Sequence, residues 1–188
     1  MRKVAILGKA ASRALAPLDD ASWEIWGVGT GGDSIVIGAG QLVGIGRWDA
    51  WMEPHTAADY VPPRRPWHPA HWEWLHRRHG KPIYTLGGLE CPDAVDIPRA
   101  AIEARFGTEF LRNSVCWAAA LALHQGVDAL GLWGVDQASK TEYARERAGV
   151  MHFIKLAEAL GVPVHLPEGC PLLVEQRPYP DCFEGGTS

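Results

Sequence analysis

Residues 113–136 read NSVCWAAALALHQGVDALGLWGVD, and their pattern sets the fold class. From Asn113 to Gln125 the stretch is apolar almost all round a helix, and Gly126 supplies the stop. A helix without a polar face has to be buried, here against a sheet. Ala129 to Val135 then forms a short apolar run with the pattern of a central strand, and Asp136 follows it directly. A buried helix, a tight turn, a buried strand and an acid at the strand's end together make the repeating unit of a parallel α/β sheet.

The same alternation extends to both sides. Downstream, Thr141 to Leu160 is a long amphipathic helix with Val150, Phe153, Ile154, Ala157 and Leu160 at core spacing, and Val162 to Leu166 reads as the next strand. Upstream, Val4 to Leu7 is a buried strand turning at Gly8, and Trp23 to Val28 is a second. Ser34 to Ile37, Leu42 to Trp48 and Pro82 to Leu86 read as further strands. Helices are expected over Ser12 to Pro17, Ala70 to His79 and Ile97 to Arg105, while four prolines between Pro62 and Pro69 mark a loop. The expectation is one three-layer α/β domain with a mostly parallel sheet over residues 1–175, followed by an irregular tail over 176–188.

Composition narrows the function classes. In a chain of 188 residues, 47% hydrophobic content supports a sizeable core and rules out a disordered chain. A net charge of −4 argues against a globally basic nucleic-acid binder and leaves only local patches for that role. Cys91, Cys116, Cys170 and Cys182 form no CxxC pair, so reduced thiols in a cytoplasmic protein are expected, with Cys116 packing as a small hydrophobe. The amino terminus starts directly as a strand, and no run approaches the roughly 20 apolar residues that span a bilayer, so no membrane partner is expected. Association into a homo-oligomer stays open.

Ligands of such sheets bind beyond the carboxyl ends of the strands, which selects the residues to weigh. After the first strand, Gly8 permits a sharp turn, and Lys9, Ser12 and Arg13 add donors to the backbone N–H groups that would meet an anion. The segment is neither a full GxGxxG nor a Walker sequence, and an ordinary turn with Ser12 as N-cap explains it equally well. Asn113 and Ser114, preceded by Arg112, would cap the buried helix or hold a phosphate or carboxylate at its positive end. Asp136 would take a ribose hydroxyl or a metal, act as a base, or cap the next turn. Glu142, Tyr143 and Arg147 open the following helix. Arg147 shares its buried face with Val150 and Ile154, and so needs a partner such as Asp136, Glu142 or a ligand.

The stretch Arg47-Trp48-Asp49-Ala50-Trp51-Met52-Glu53-Pro54-His55 reads as another strand end. Glu53 and His55 are its acid/base candidates, with Arg47 for a phosphate, and its tryptophans either stack on a base or pack in the core. Residues 64–81 hold five Lys/Arg, four His and three Trp. His68, His71, His76 and His79 cluster at helical spacing, yet no cysteine or acid completes a metal set, so no metal ligand is assigned. The segment reads as a solvated amphipathic helix, or as a surface for nucleic acid or substrate phosphates.

Three stretches carry a family resemblance: VAILGKAASRALAPLDDASWEIWGVG, RWDAWMEPH and NSVCWAAALALHQGVDALGLWGVDQASKTEYARERAGVMHFIKLAEALGVPVHLPEGCPLL. The chain resembles small Rossmann-like proteins encoded by tailed phages and prophages. More distantly it is similar to the hydroxymethylpterin diphosphokinase-like and sialyltransferase-like nucleotide-binding families. That resemblance implies a Rossmann-like fold in which Gly8 and Ser12, then Asn113 and Ser114, contact a nucleotide. It places Asp136 in the family's Gly-x-Asp position and Glu142, Tyr143 and Arg147 in its Glu-Tyr-x-x-x-Arg pattern. Two departures stand out: Ala11 replaces the Pro common before the first-loop Ser, and Gly29 replaces an Asn expected after the second strand.

Taken together, these readings lead to a nucleotide-dependent transferase of phage origin, glycosyl- or pyrophosphoryl-type, acting on nucleotides or DNA in the host cytoplasm. Gly8, Lys9, Ser12, Asn113, Ser114, Glu142, Tyr143 and Arg147 would hold a nucleotide or nucleotide sugar, and Asp136, Glu53 and His55 would carry the chemistry. Two alternatives stay open beside it: a non-catalytic protein that sequesters a nucleotide or nucleotide signal, and an interaction module built on residues 64–81. The need for a divalent metal stays open as well.

Overall fold

The computed structural model describes residues 1–29, 35–37, 41–43, 46–60, 69–135 and 142–173, with only the backbone described for 35–37, 41–43, 69 and 142–145. The expectations placed on Asp136, His68 and the 176–188 tail lie outside the described residues.

The sheet begins with β1 (Lys3–Leu7) and β2 (Trp23–Val28). It continues through β5 (Ala50–Glu53), β6 (Ile83–Thr85), β7 (Ala94–Asp96), β8 (Ala129–Trp133) and β9 (Val164–His165). Between β2 and β5 lie β3 (Ile35–Ile37) and β4 (Gln41–Val43), an antiparallel pair of their own. The strand order is β7-β6-β5-β2-β1-β8-β9, and every neighbouring pair is parallel. From β1 the chain winds outward through β2, then returns to the other side of β1 at β8. The topological switch point therefore lies between β1 and β8, where open α/β sheets take their ligands.

Alternation along the strands sends residues to two different layers. Val4, Ile6, Met52, Leu130 and Leu132 face a core shared with the helices α2 (Arg99–Phe106), α3 (Ser114–His124) and α4 (Glu142–Ala159). As the apolar run predicts, α3 is buried from Val115 to Leu123. Cys116 lies within it, and burial pushes its thiol up to about 11, which leaves it unreactive. The opposite face carries Ala5, Leu7, Ile25, Trp51 and Trp133, covered in part by the short helix α1 (Pro69–Leu75). Among the described residues no helix is long and apolar enough to cross a membrane.

Some sequence expectations need correction. Leu42 to Trp48 is not a strand of the main sheet: Gln41–Val43 pairs with Ile35–Ile37, and Ala50–Glu53 is the strand that joins β2. Asp49 disguised this strand in the sequence, because its charge interrupts the apolar run. In the fold Asp49 sits at the strand's entrance, accepting from the Ile25 N–H at 2.8 Å and from Arg47 at 2.9 Å. The helix expected to His79 stops at Leu75, since the Asp93 carboxylate takes the His79 and Gly80 N–H groups. β7 has no counterpart among the sequence expectations. It is a largely exposed edge strand and carries no apolar signature.

Candidate functional site

The most distinctive polar group lies at the carboxyl end of β5. Trp51 points to the α1 face of the sheet, and Glu53, two residues on, follows it there. On α1 the spacing of His71, Trp74 and Leu75 puts all three on the buried stripe. The Trp74 ring packs against those of Trp51 and Trp48 at 4.9 and 5.4 Å, and His71 stacks on Trp74. The indole cluster thereby anchors α1 and sets His71 against Glu53.

Glu53 is 1% exposed and bridges two imidazoles, with Oε1 2.5 Å from His55 Nδ1 and Oε2 2.8 Å from His71 Nε2. The His55 backbone N–H also donates to Oε1, at 3.2 Å. Burial works to raise the Glu53 pKa, but the hydrogen bonds from His55 and His71 outweigh it and hold the carboxyl at about 2. An ionised carboxylate only accepts hydrogen bonds, so His55 Nδ1 and His71 Nε2 both carry the protons. In the neutral form of His55 this leaves the lone pair on Nε2. His71 is 3% exposed and His55 30%, so one imidazole is fixed inside while the other reaches solvent. Tyr60 packs beside both rings. One strand further out, Thr85, paired in register with Glu53, donates to Asp96 Oδ1 at 2.5 Å.

The switch point forms a second centre on the same edge. The Gly8 N–H donates to the Trp133 carbonyl and the Ala10 N–H to that of Gly134, at 2.8 and 2.9 Å. The two loops touch so closely that a Cβ on Gly8 would stand 2.2 Å from the Gly134 oxygen. Ser12 is not the cap of the 3-10 turn Ala11–Leu15 but lies inside it, and Ala10 holds the cap position. The Ser12 hydroxyl accepts from the Gly134 N–H at 2.9 Å, which joins the β1 and β8 loops. Lys9 runs across the end of β2: a Cβ at Gly29 would be 2.7 Å from Lys9 Cε. The departure from the expected Asn thus has a physical reason, since the lysine stem occupies the space a side chain at 29 would need, and Gly29 has φ +84°.

The remaining sequence candidates divide between the edge and the scaffold. Asn113 caps α3, with its Oδ1 accepting from the Cys116 N–H at 2.9 Å, and its Nδ2 reaches Glu146 on α4 at 3.3 Å. Ser114 opens α3 and Glu142 and Tyr143 open α4, so the starts of both helices meet at this edge. Arg147 gives two donors to the Pro171 and Leu172 carbonyls at 2.8 and 2.6 Å, which ties α4 to the turn after β9. Arg47 lies at the entrance of β5, at the other end of that strand from Glu53. It donates there to the Asp20 and Trp23 carbonyls and to Asp49, and this corrects its reading as a phosphate ligand. Trp48 and Trp51 are buried core residues rather than stacking platforms.

The three described histidines of the four-histidine cluster part in the same way. His71 binds Glu53, while His76 and His79 turn to the Trp72 and Trp74 carbonyls. Among the described residues no group of three or more His, Cys, Asp or Glu is arranged to hold a metal ion. His71 is the functional candidate that sequence reasoning left unassigned. Its place on the buried stripe of α1 was a usable signal, since a buried imidazole needs a polar partner.

No family model matches the sequence. No curated protein matches it either. Among solved structures, the chain is similar to the sialyltransferase CstII from Campylobacter jejuni, determined in complex with a substrate analogue, cytidine-5'-monophosphate. The two agree with a TM-score of 0.51 over 91% of this chain and 80% of that one, at 14% sequence identity, which makes the likeness one of fold.

Proposed function

We propose that this chain is a nucleotide-dependent transferase, of the glycosyl-transfer kind, with His55 as its acid/base residue. The observation that carries the proposal is the buried Glu53 carboxylate held 2.5 Å from His55 Nδ1 at the carboxyl edge of the sheet. In this reading Nε2 of His55 takes the proton from an acceptor hydroxyl as its oxygen attacks the transferred group, the bond from that group to the donor's phosphate breaks and the nucleotide leaves with the electron pair, and Glu53 stabilises the imidazolium that forms. His71 holds the other carboxylate oxygen and so fixes the angle at which Glu53 presents itself. Gly8, Lys9 and Ser12 at the switch point, with Asn113, Ser114, Glu142 and Tyr143 at the helix starts, would receive the nucleotide, and Asp136 its ribose or a divalent ion. β5 lies two strands from β1, about 10 Å at the usual strand spacing. A nucleotide whose phosphate lies at the switch point would therefore present its far end near His55.

The fold likeness to a sialyltransferase solved with cytidine-5'-monophosphate supports a nucleotide-sugar donor. The test is release of free nucleotide from a panel of CMP-, UDP- and GDP-sugars, with and without simple sugar acceptors. Activity with at least one donor, reduced about 10²- to 10⁴-fold in His55→Asn with the fold intact, is the expected result. Turnover that His55→Asn leaves unchanged removes the acid/base assignment, and a wholly inactive panel removes the glycosyl-transfer reading.

A further inference from the structure

Arg13 lies in the 3-10 turn directly after the β1 loop and is 8% exposed. Its Nη1 is buried and has no hydrogen-bond partner among the described residues. A guanidinium remains charged at every pH the fold survives, and a buried donor of a charged group left without a partner is costly. Its position suggests what compensates. Its Cβ stands 2.8 Å from where a Cβ on Gly134 would be, so the side chain starts against the residue that follows β8. That is the switch point itself, with Lys9 on the neighbouring strand end and the Gly8 backbone alongside.

We propose that Arg13 is the anchor of an anion subsite between β1 and β8, and that its partner is a phosphate or diphosphate group. A guanidinium grips carboxylate and phosphate oxygens alike in pairs, and phosphate is the choice here because the side chain starts at the switch point, where sheets of this kind seat phosphate groups. The inference deepens the nucleotide half of the proposed function and rests on it for the origin of the phosphate, but not on the transfer chemistry. Arg13 thereby differs from Arg147 and Arg47, whose guanidinium groups donate to backbone carbonyls of their own chain.

The test uses the whole chain in phosphate-free buffer at constant ionic strength. Thermal unfolding and calorimetry are run with inorganic pyrophosphate, with CMP and with acetate, on wild type, Arg13→Met and Arg13→Lys. Wild type should be stabilised by pyrophosphate and not by acetate, and Arg13→Met should bind pyrophosphate about 10- to 100-fold more weakly. Without ligand, Arg13→Met should melt about 3–10 °C higher than wild type, because an apolar side chain replaces a buried charged group with an unmet donor. Arg13→Lys keeps the charge but not the fork, and should lose most of the affinity while folding like wild type. Stabilisation by CMP that Arg13→Met also abolishes assigns the phosphate to a nucleotide, whereas a response to pyrophosphate alone assigns a free diphosphate.

The proposal is overturned if pyrophosphate leaves wild type unmoved. It is equally overturned if Arg13→Met melts lower without ligand and keeps the pyrophosphate response, which is the signature of an internal ion pair. Failure of the nucleotide-sugar panel alongside an Arg13-dependent pyrophosphate response removes the transferase reading and leaves this subsite standing.

Discussion

Replacing Glu53 by Gln probes the buried carboxylate at the centre of the candidate site. Glu53 is held at about 2, against an ordinary value of 4.5. A drop of this size corresponds to about 3 kcal/mol of folding stability. Because the folded-state value is depressed, the unfolded chain takes up the proton first. The contribution is therefore complete above about pH 5, declines as pH falls below the unfolded value, and is gone near pH 2. Roughly 2 kcal/mol of it disappears between pH 5 and pH 3. Gln keeps the shape and cannot ionise, so Glu53→Gln should be less stable than wild type by about 3 kcal/mol at neutral pH. The gap should close as the solution is acidified. Urea unfolding of both proteins at a series of pH values from 7 to 3, monitored by tryptophan fluorescence, measures it directly. A gap that stays constant across this range would refute the picture of an ionised carboxylate gripped by two imidazoles.

Two further predictions test the frame around that site. Gly8→Ala places a Cβ 2.2 Å from the Gly134 carbonyl oxygen, so the β1 and β8 loops have to part. A loss of about 1–3 kcal/mol in urea unfolding is expected, together with a weaker pyrophosphate response. Asn113→Ala removes the acceptor for the Cys116 N–H and the link to Glu146, and should cost about 1 kcal/mol by the same assay.

The sequence was most legible where one local rule governs the outcome. Asn113 before an unbroken apolar run reads as a helix cap, and it is one. The alternation of apolar runs and turns gives a parallel α/β sheet, and the sheet is parallel throughout. Glu53 and His55, singled out together at a strand's end, are brought into contact by the fold. Legibility failed where tertiary contacts override spacing. Helical periodicity grouped His71 with His76 and His79, but α1 ends before His76, and His71 is satisfied by a carboxylate 18 residues earlier in the chain. Likewise Asp49 looked like the end of a strand, when its partners Arg47 and Ile25 make it the beginning of one.

The two centres on the carboxyl edge differ in what they ask of the protein. Glu53 is a buried anion fully met from within the chain: two imidazoles and a backbone N–H surround it, and the Trp48, Trp51 and Trp74 rings hold the helix that brings His71. Arg13 is a buried cation whose Nη1 is met by no described residue. In the proposed subsite an anionic ligand supplies the partner that Arg13 Nη1 lacks within the described residues. If both proposals hold, the two strands between β5 and β1 put the ligand's anionic end and its reacting end about 10 Å apart. Inorganic phosphate alone is too short to reach both, so it should occupy the Arg13 side without disturbing His55. A nucleotide bearing a further group is long enough, and its binding should perturb the His55 ring resonances in an NMR titration. Perturbation of His55 by phosphate alone would mean that the two centres are one.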